Sequence, residues 1–260
     1  SGMRRRQLLL AAAVGGAGIL WGLRAKNSDN GGVHSAYFQT LSNALDKAGL
    51  ARPTLIIDKQ KLLANASVLH QHLVGRYDYR VVTKSLPSVP LLEAVMSHTN
   101  TQRLMVFHQP FLNLIANELP NTDVLLGKPM PVAAAARFYQ QHRTTQFDAR
   151  HQLQWLVDSP VRLMQYAELG RQRGELMLIN LELDVGLHRG GIKSEEQLAV
   201  ALDIIEREPF LQFSGFMGYD PHVSKNPGLL GGAEAAFSAV QKTYQNFVTI
   251  AERQLQRSLS

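Results

Sequence analysis

A single lysine ends the apolar run Tyr79–Lys84 (YRVVTK), and a helical segment over Ser88–His98 follows it at once. The run is typical of a strand, so we expect Lys84 at the strand's carboxyl end. In a β/α barrel this end of each strand opens into the active site. An amine held there can lose its proton and attack a carbonyl carbon, as Schiff-base lysines do. The alternative interpretation is an ordinary surface lysine at a strand end.

A permanent cation follows a second candidate strand, at residues 176–184. Arg189 lies in the segment Gly186–Gly191 (GLHRGG), whose glycines allow the backbone to turn tightly and to approach a ligand. The alternative is a structural turn in which Arg189 pairs with Asp184 or Glu182.

Other polar side chains also end predicted strands. Tyr219 and His222 close the segment Phe213–His222 (FSGFMGYDPH), where Pro221 fixes a turn. The alternative for His222 is a solvated loop histidine. Four more strand ends are expected to be structural or at the rim: His108 and Lys128 as rim residues, Asp58 and Asp158 as caps of the next helix.

Short β-rich runs alternate with longer amphipathic runs from residue 54 onward, which indicates parallel βαβ units. The pattern predicts strands at 54–58, 79–84, 103–108, 122–126, 152–158, 176–184 and 211–218. It predicts helices near 59–74, 88–98, 110–119, 131–142, 160–173 and 194–207, and a last one over Ala233–Arg257. Seven such strands favour a (β/α)8 TIM-type barrel that lacks its last strand, and the absence of G-x-G-x-x-G counts against a dinucleotide fold.

The order of these segments resembles the pyridoxal 5'-phosphate (PLP) enzymes of the alanine racemase N-terminal fold, known as fold type III. The D-threonine aldolase and D-serine dehydratase-like branch is the most similar. The resemblance is carried by Arg52–Asp58 (RPTLIID), Tyr79–Ser85, Ile179–Gly191 (INLELDVGLHRGG) and Phe213–His222. It implies that Lys84 holds the PLP aldehyde as an imine and that Arg189 lies near the ring oxygen. Tyr219 and His222 would lie at the ring, although Tyr-Asp-Pro-His here departs from the family's Tyr-x-Gly-His and Tyr-Thr-His.

The resemblance implies an enzyme that cleaves or dehydrates small D-configured β-hydroxy amino acids, with a homodimer as a possible assembly. An alanine or amino-acid racemase is one alternative, and a non-catalytic PLP-binding protein or degenerate barrel is another. In the resembled proteins a C-terminal β-domain and, in one branch, divalent-metal ligands follow the barrel. We predict no metal site in this chain. Without those segments, we expect the 260-residue chain to bind PLP weakly and to have little activity.

The charge of the chain is concentrated at its amino end. Five of the +6 formal charges come from Arg4, Arg5, Arg6, Arg24 and Lys26, so the remainder is nearly neutral and nucleic-acid binding is not expected. No cysteine is present, which excludes disulfides and thiolate metal sites.

The three arginines precede an uncharged stretch, Leu8–Leu23, which is typical of an export signal. We therefore predict a twin-arginine-like signal or anchor segment at 3–26 and a location in the bacterial periplasm or at the inner membrane. The partners implied for this segment are the membrane or the export machinery. A linker and covering helix are predicted at 27–50, and the PLP-binding barrel at 51–260.

Overall fold

The computed structural model describes residues 31–225 and 231–259, in two units that divide between Ile57 and Asp58. The described part of the first unit contains one helix, α1 (Ala36–Lys47), capped by the Ser35 hydroxyl. The predicted export segment lies outside the described residues, and the predicted role of α1 as a covering helix stays a prediction. Within the described ranges, no helix has the length and apolar character needed to cross a membrane.

The second unit alternates strands and helices. Its strands are β1 (Val81–Val82), β2 (Arg103–Val106), β3 (Asp123–Leu126), β4 (Leu153–Val157), β5 (Met177–Leu183) and β6 (Leu211–Gly218). Its helices are α2 (Lys59–Leu73), α3 (Val89–Thr99), α4 (Gln109–Glu118), α5 (Val132–Gln141), α6 (Ala149–Gln152), α7 (Pro160–Arg173), α8 (Glu195–Arg207) and α9 (Gly232–Leu255). Short 3-10 turns cover Thr83–Ser85 and Val223–Lys225.

The six strands lie in the sheet in their order along the chain, each parallel to the next. Consecutive parallel strands joined by helices are the arrangement of a TIM-type barrel. The predicted fold class is therefore confirmed as a partial TIM-type barrel, with six strands in the part of the chain that the structure describes.

The strand predicted at residues 54–58 is wrong. Residues 53–58 make no strand pairing, and the apolar side chains of Leu55, Ile56 and Ile57 are exposed. An apolar β-branched run forms a strand only where a neighbouring strand offers hydrogen-bond partners, and β1 is only two residues long. The predicted strand at 79–84 is also shortened, because Thr83–Ser85 turns into a 3-10 helix.

The two faces of the sheet differ in polarity because side chains alternate along each strand. On β4 and β5, the face that packs into the hydrophobic core carries Leu153, Trp155, Val157, Met177, Ile179, Leu181 and Leu183. The opposite face is mixed: it carries the buried Leu156, and there the Asn180 amide donates to the Gln154 side-chain oxygen over 3.1 Å. One face of these strands is therefore uniformly apolar, whereas the other also carries the buried polar residues Asn180 and Glu182.

The pairing of β5 with β6 contains one irregularity. Ile179 pairs with Phe213, but the next residue, Asn180, pairs with Gly215, so Ser214 is an extra residue in β6. The Ser214 hydroxyl donates to the Ile179 carbonyl over 2.9 Å. This is a β-bulge, and it sets the register of the carboxyl half of β6.

Candidate active site

Lys84 lies at the edge of the sheet where all the strands have their carboxyl ends. The Thr83 hydroxyl donates to the Met105 carbonyl over 2.9 Å and so ties the 3-10 turn to β2. The Lys84 side chain is exposed, and its Nζ lies 4.9 Å from the centre of the Phe107 ring. Among the described residues, Lys84 forms no ion pair with a carboxylate. The Phe107 ring therefore positions the Lys84 amine, and no carboxylate in the described residues competes for it.

The Phe107 ring is itself held by the end of the neighbouring strand. A Cβ on Gly127, directly after β3, would lie 2.4 Å from two ring carbons of Phe107, so the ring packs on a backbone that has room only for glycine. The Gly127 N–H donates to the Val106 carbonyl over 2.9 Å. His108 and Lys128 follow these two positions and are exposed, as expected of rim residues.

Arg189 lies between a buried carboxyl group and an aromatic ring. Its guanidinium carbon is 4.5 Å from the centre of the Tyr219 ring, and its Nη2 is 3.9 Å from Oε1 of Glu182, whose side chain is buried. Burial raises the pKa of Glu182, Arg189 lowers it in part, and Asp158 and Asp184 raise it further. Of the two structural partners considered for Arg189, Glu182 is the one observed.

The loop that carries Arg189 folds back onto the strand from which it leaves. The Ile192 N–H donates to the Glu182 carbonyl over 2.8 Å, and the Asp184 N–H donates to the Ile192 carbonyl over 2.9 Å. The Asp184 carboxylate accepts hydrogen bonds from the backbone N–H groups of Gly186 and His188 and from Nδ1 of His188. Burial alone would raise the pKa of Asp184, but these hydrogen bonds leave it below its ordinary value.

His222 packs against this same loop. A Cβ on Gly186 would lie 3.3 Å from Nε2 of His222, and Nδ1 of His222 is buried with no hydrogen-bond partner in the described residues. The loop after β5 thus brings Arg189, Tyr219 and His222 together. The Phe107 ring beside Lys84 directly follows β2, and in the strand order β2 is separated from β5 and β6 by β3 and β4.

One predicted cap is correct and the other is wrong. Asp58 caps α2 by accepting from the Lys61 N–H over 3.0 Å. At α7 the cap is Ser159, which accepts from the Arg162 N–H, while Asp158 only accepts from the Ser159 hydroxyl over 3.4 Å. Pro160 in the first turn of α7 leaves the residue directly before it as the cap.

From the sequence, Glu182 and Asp184 are expected only as possible structural partners of Arg189, and His188 has no assigned role. A signal for them exists, because Asn180, Glu182 and Asp184 alternate with leucines along β5 and so share one face of the strand. Polar residues at a spacing of two within an apolar strand mark the face that is turned away from the core.

Sequence and structure comparisons identify related proteins. The sequence model of the alanine racemase N-terminal domain matches residues 57–259. No match was found among curated proteins.

Solved structures with the same fold have low sequence identity to this chain. D-threo-3-hydroxyaspartate dehydratase from Delftia sp. HT23 is 19% identical with a TM-score of 0.64, over 80% of this chain and 52% of that one. Alanine racemase from Bacillus anthracis is 14% identical with a TM-score of 0.61, over 80% and 51%. Histidine racemase from Leuconostoc mesenteroides subsp. sake is 13% identical with a TM-score of 0.54, over 69% and 46%.

The chain spans about half the length of these solved proteins. The structural matches agree with the parallel strand order, and the sequence match extends over nearly the whole second unit. The chain therefore belongs to the alanine racemase N-terminal-domain family, the PLP-enzyme fold that its motifs resemble.

Proposed function

We propose that this chain is the PLP-binding barrel of an enzyme that cleaves or dehydrates small D-configured β-hydroxy amino acids. The observation that carries the proposal is the Lys84 amine, which stands at a strand's carboxyl end, rests on Phe107 and forms no ion pair among the described residues. An amine so placed can bind an aldehyde covalently and can also move a proton at the substrate Cα.

The residues around the loop after β5 fit the ring of PLP. Arg189 is a permanent cation suited to a phenolate oxygen, and the Tyr219 ring and Glu182 limit its movement. The buried Nδ1 of His222, which has no partner in the described residues, is a polar atom that a ligand group could satisfy. When bound, PLP supplies an electron sink for the bonds at the substrate Cα.

The reaction type is supported by the dehydratase among the structural neighbours. A racemase is the second candidate, favoured by the alanine racemases with the same fold. Both candidates take a small amino acid as substrate. We also propose a homodimer as the working assembly, in line with the family.

Covalent labelling tests the role of Lys84. After incubation with PLP and reduction with borohydride, peptide mapping should find the pyridoxyl group on Lys84. Lys84→Arg should lose at least ~90% of the label, because arginine keeps the charge but does not form the adduct. Lys128→Arg is the matched control, since Lys128 is an exposed lysine at the next but one strand end, and it should label normally. Label on Lys128 or Lys225 in the wild-type chain would refute the assignment.

A further inference from the structure

Two Asp–His pairs occur among the described residues, and they differ in how firmly the histidine is held. Nδ1 of His151 lies 2.8 Å from Oδ2 of Asp148, and Nδ1 of His188 lies 3.0 Å from Oδ2 of Asp184. The first pair belongs to α6, at the start of β4. The second lies directly after β5, next to Arg189, at the edge of the sheet where Lys84 stands.

Asp184 has little freedom to turn away from its histidine. Its side chain is only 4% exposed, compared with 37% for Asp148. One of its oxygens accepts two backbone N–H groups, which leaves the other for Nδ1 of His188. Because a carboxylate only accepts, the Nδ1 atom carries a proton, and in the neutral imidazole Nε2 presents its lone pair. The His188 side chain is 82% exposed, so Nε2 is open to a ligand.

The backbone at His188 is strained. Its φ is +56°, in the left-handed region, which costs an ordinary residue about 1–2 kcal/mol. Asn100 and Gln256 also have positive φ, but they are helix C-caps, where this conformation is common. His188 ends no helix, and glycines occupy two nearby positions with positive φ, 186 and 191. An imidazole is therefore present where glycine would remove the strain, which is the kind of outlier found at functional sites.

We propose that His188, oriented by Asp184, is the residue that exchanges the proton of the substrate's β-hydroxyl group. This inference rests on the proposed function. A carboxylate that fixes the tautomer and direction of a histidine is the arrangement of a general acid–base catalyst. The charged groups around the loop are Asp184, which faces the imidazole, and Arg189 and Glu182, which face each other.

The proton balance of both reactions requires such a group. In dehydration, the Cβ–O bond breaks with its electron pair on oxygen, and the His188 imidazolium gives the proton with which the hydroxyl leaves as water. In aldol cleavage, neutral Nε2 takes the hydroxyl proton while the Cα–Cβ bond breaks and the aldehyde carbonyl forms. The Cα proton is moved separately, by the Lys84 amine.

The experiment separates these two proton transfers. PLP-loaded wild-type chain, His188→Gln, Asp184→Asn and the control His151→Gln are incubated with D-serine or D-threonine. Exchange of the Cα proton with deuterated water is followed by NMR, and pyruvate or acetaldehyde release by mass spectrometry. Imidazole signals of 15N-histidine-labelled protein report the tautomer of His188, and borohydride labelling of Lys84 reports the cofactor.

Relative to the wild-type chain, whose own release is expected to be slow, His188→Gln should slow pyruvate and acetaldehyde release by at least ~100-fold, with Cα exchange and Lys84 labelling within about threefold of wild type. Asp184→Asn should abolish the fixed Nδ1–H tautomer of His188 and slow release in the same sense, and His151→Gln should match wild type.

Each contrary outcome is informative. A His188→Gln protein that loses release by less than about threefold, or that loses release and Cα exchange together, overturns the role of His188. A wild-type chain that exchanges the Cα proton but never reacts at the β-carbon overturns the proposed function in favour of the racemase, and the role of His188 with it. A wild-type chain whose Lys84 takes no PLP overturns the proposed function itself, and this inference with it.

Discussion

Glu182 is a carboxyl group on which folding imposes an unfavourable environment. Its side chain is buried on β5, the nearest guanidinium atom is at 3.9 Å, and the two aspartates that follow β4 and β5 add like charge. The result is a pKa above its ordinary value, with burial as the largest cause. The ionised form of Glu182 beside Arg189 therefore lowers the stability of the folded state.

The sign of the pH effect follows from this shift. Between the unfolded and the folded pKa of Glu182, the folded state holds more protons, so the free energy of unfolding falls as pH rises through that interval. Glu182→Gln should therefore raise the thermal midpoint at pH 7, with the gain disappearing below about pH 4, where the carboxyl is protonated in both states.

Glu196→Gln is the matched control for this titration. Glu196 is exposed, and hydrogen bonds at the start of α8 lower its pKa, so its loss should produce no gain at pH 7. A thermal midpoint of Glu182→Gln that is equal to or lower than that of wild type at pH 7 would contradict the argument. Both midpoints are measured by circular dichroism.

The loop between β5 and α8 is the element that assembles one side of the site. It leaves the strand at Asp184 and returns at Ile192, and two backbone hydrogen bonds close it. Gly191 makes this return possible. Its φ is +95°, and a Cβ there would lie 2.9 Å from the Glu182 carbonyl oxygen.

Two adjacent glycines allow a controlled test of the loop. Gly191→Ala should lower the free energy of unfolding by about 1–3 kcal/mol, because both its backbone conformation and the nearby carbonyl oppose a methyl group. Gly190→Ala should change it by less than about 1 kcal/mol, since no atom lies within 4 Å of the new carbon. Urea titrations measure both, and equal effects would refute the steric explanation.

At the level of elements, the sequence predicts best where capping chemistry fixes a boundary. Helix α7 spans the predicted residues 160–173, because Pro160 starts it and Gly174 ends it in a left-handed conformation. The segment at 54–58 shows the limit, since its apolar residues satisfy a strand pattern without a partner strand. Propensity is local, but a strand depends on distant hydrogen-bond partners.

The same limit applies to the site. Lys84 and Arg189 could be predicted because strand ends and glycine-rich turns are visible in the sequence. The contact of Lys84 with Phe107, and the pairing of Asp184 with the His188 side chain, depend on neighbouring strands and on the conformation of one loop. Neither of these can be read from spacing alone.

At the scale of the whole sheet, the side chains at its two ends differ in function. The carboxyl ends carry the candidate site, while the amino ends of β1 to β3 are joined by Arg80. Its Nη1 donates to the carbonyls of Leu104 and Asp123 over 3.0 and 2.9 Å and pairs with the Asp123 carboxylate at 2.6 Å. The Arg80 side chain is only 16% exposed, and burial lowers its pKa.

This division predicts that stability and chemistry can be changed independently. Arg80→Met should lower the free energy of unfolding by about 3 kcal/mol, because it removes the guanidinium that donates to two carbonyls and pairs with the Asp123 carboxylate. Arg103→Met removes an exposed pair with Asp78 and should cost less than about 1 kcal/mol.

Both variants should still take the pyridoxyl label on Lys84 below their unfolding transitions. Chemical denaturation and peptide mapping check the two halves of this prediction. A loss of labelling in folded Arg80→Met protein would show that the two ends of the sheet are coupled.

The extra residue in β6 has a geometric consequence at the mouth of the barrel. Side chains alternate between the two faces of a strand, so one inserted residue moves every later side chain to the opposite face of the sheet. Phe213, before the bulge, pairs with Ile179, and Phe216, after it, pairs with Leu181. Both rings therefore point to the same face as these two core residues, and their centres are 5.1 Å apart. In this phase Met217 is opposite Glu182, and Tyr219 comes two residues later on the same side. With an unbroken ladder Tyr219 would point toward the helices, and Arg189 would have no ring on which to rest.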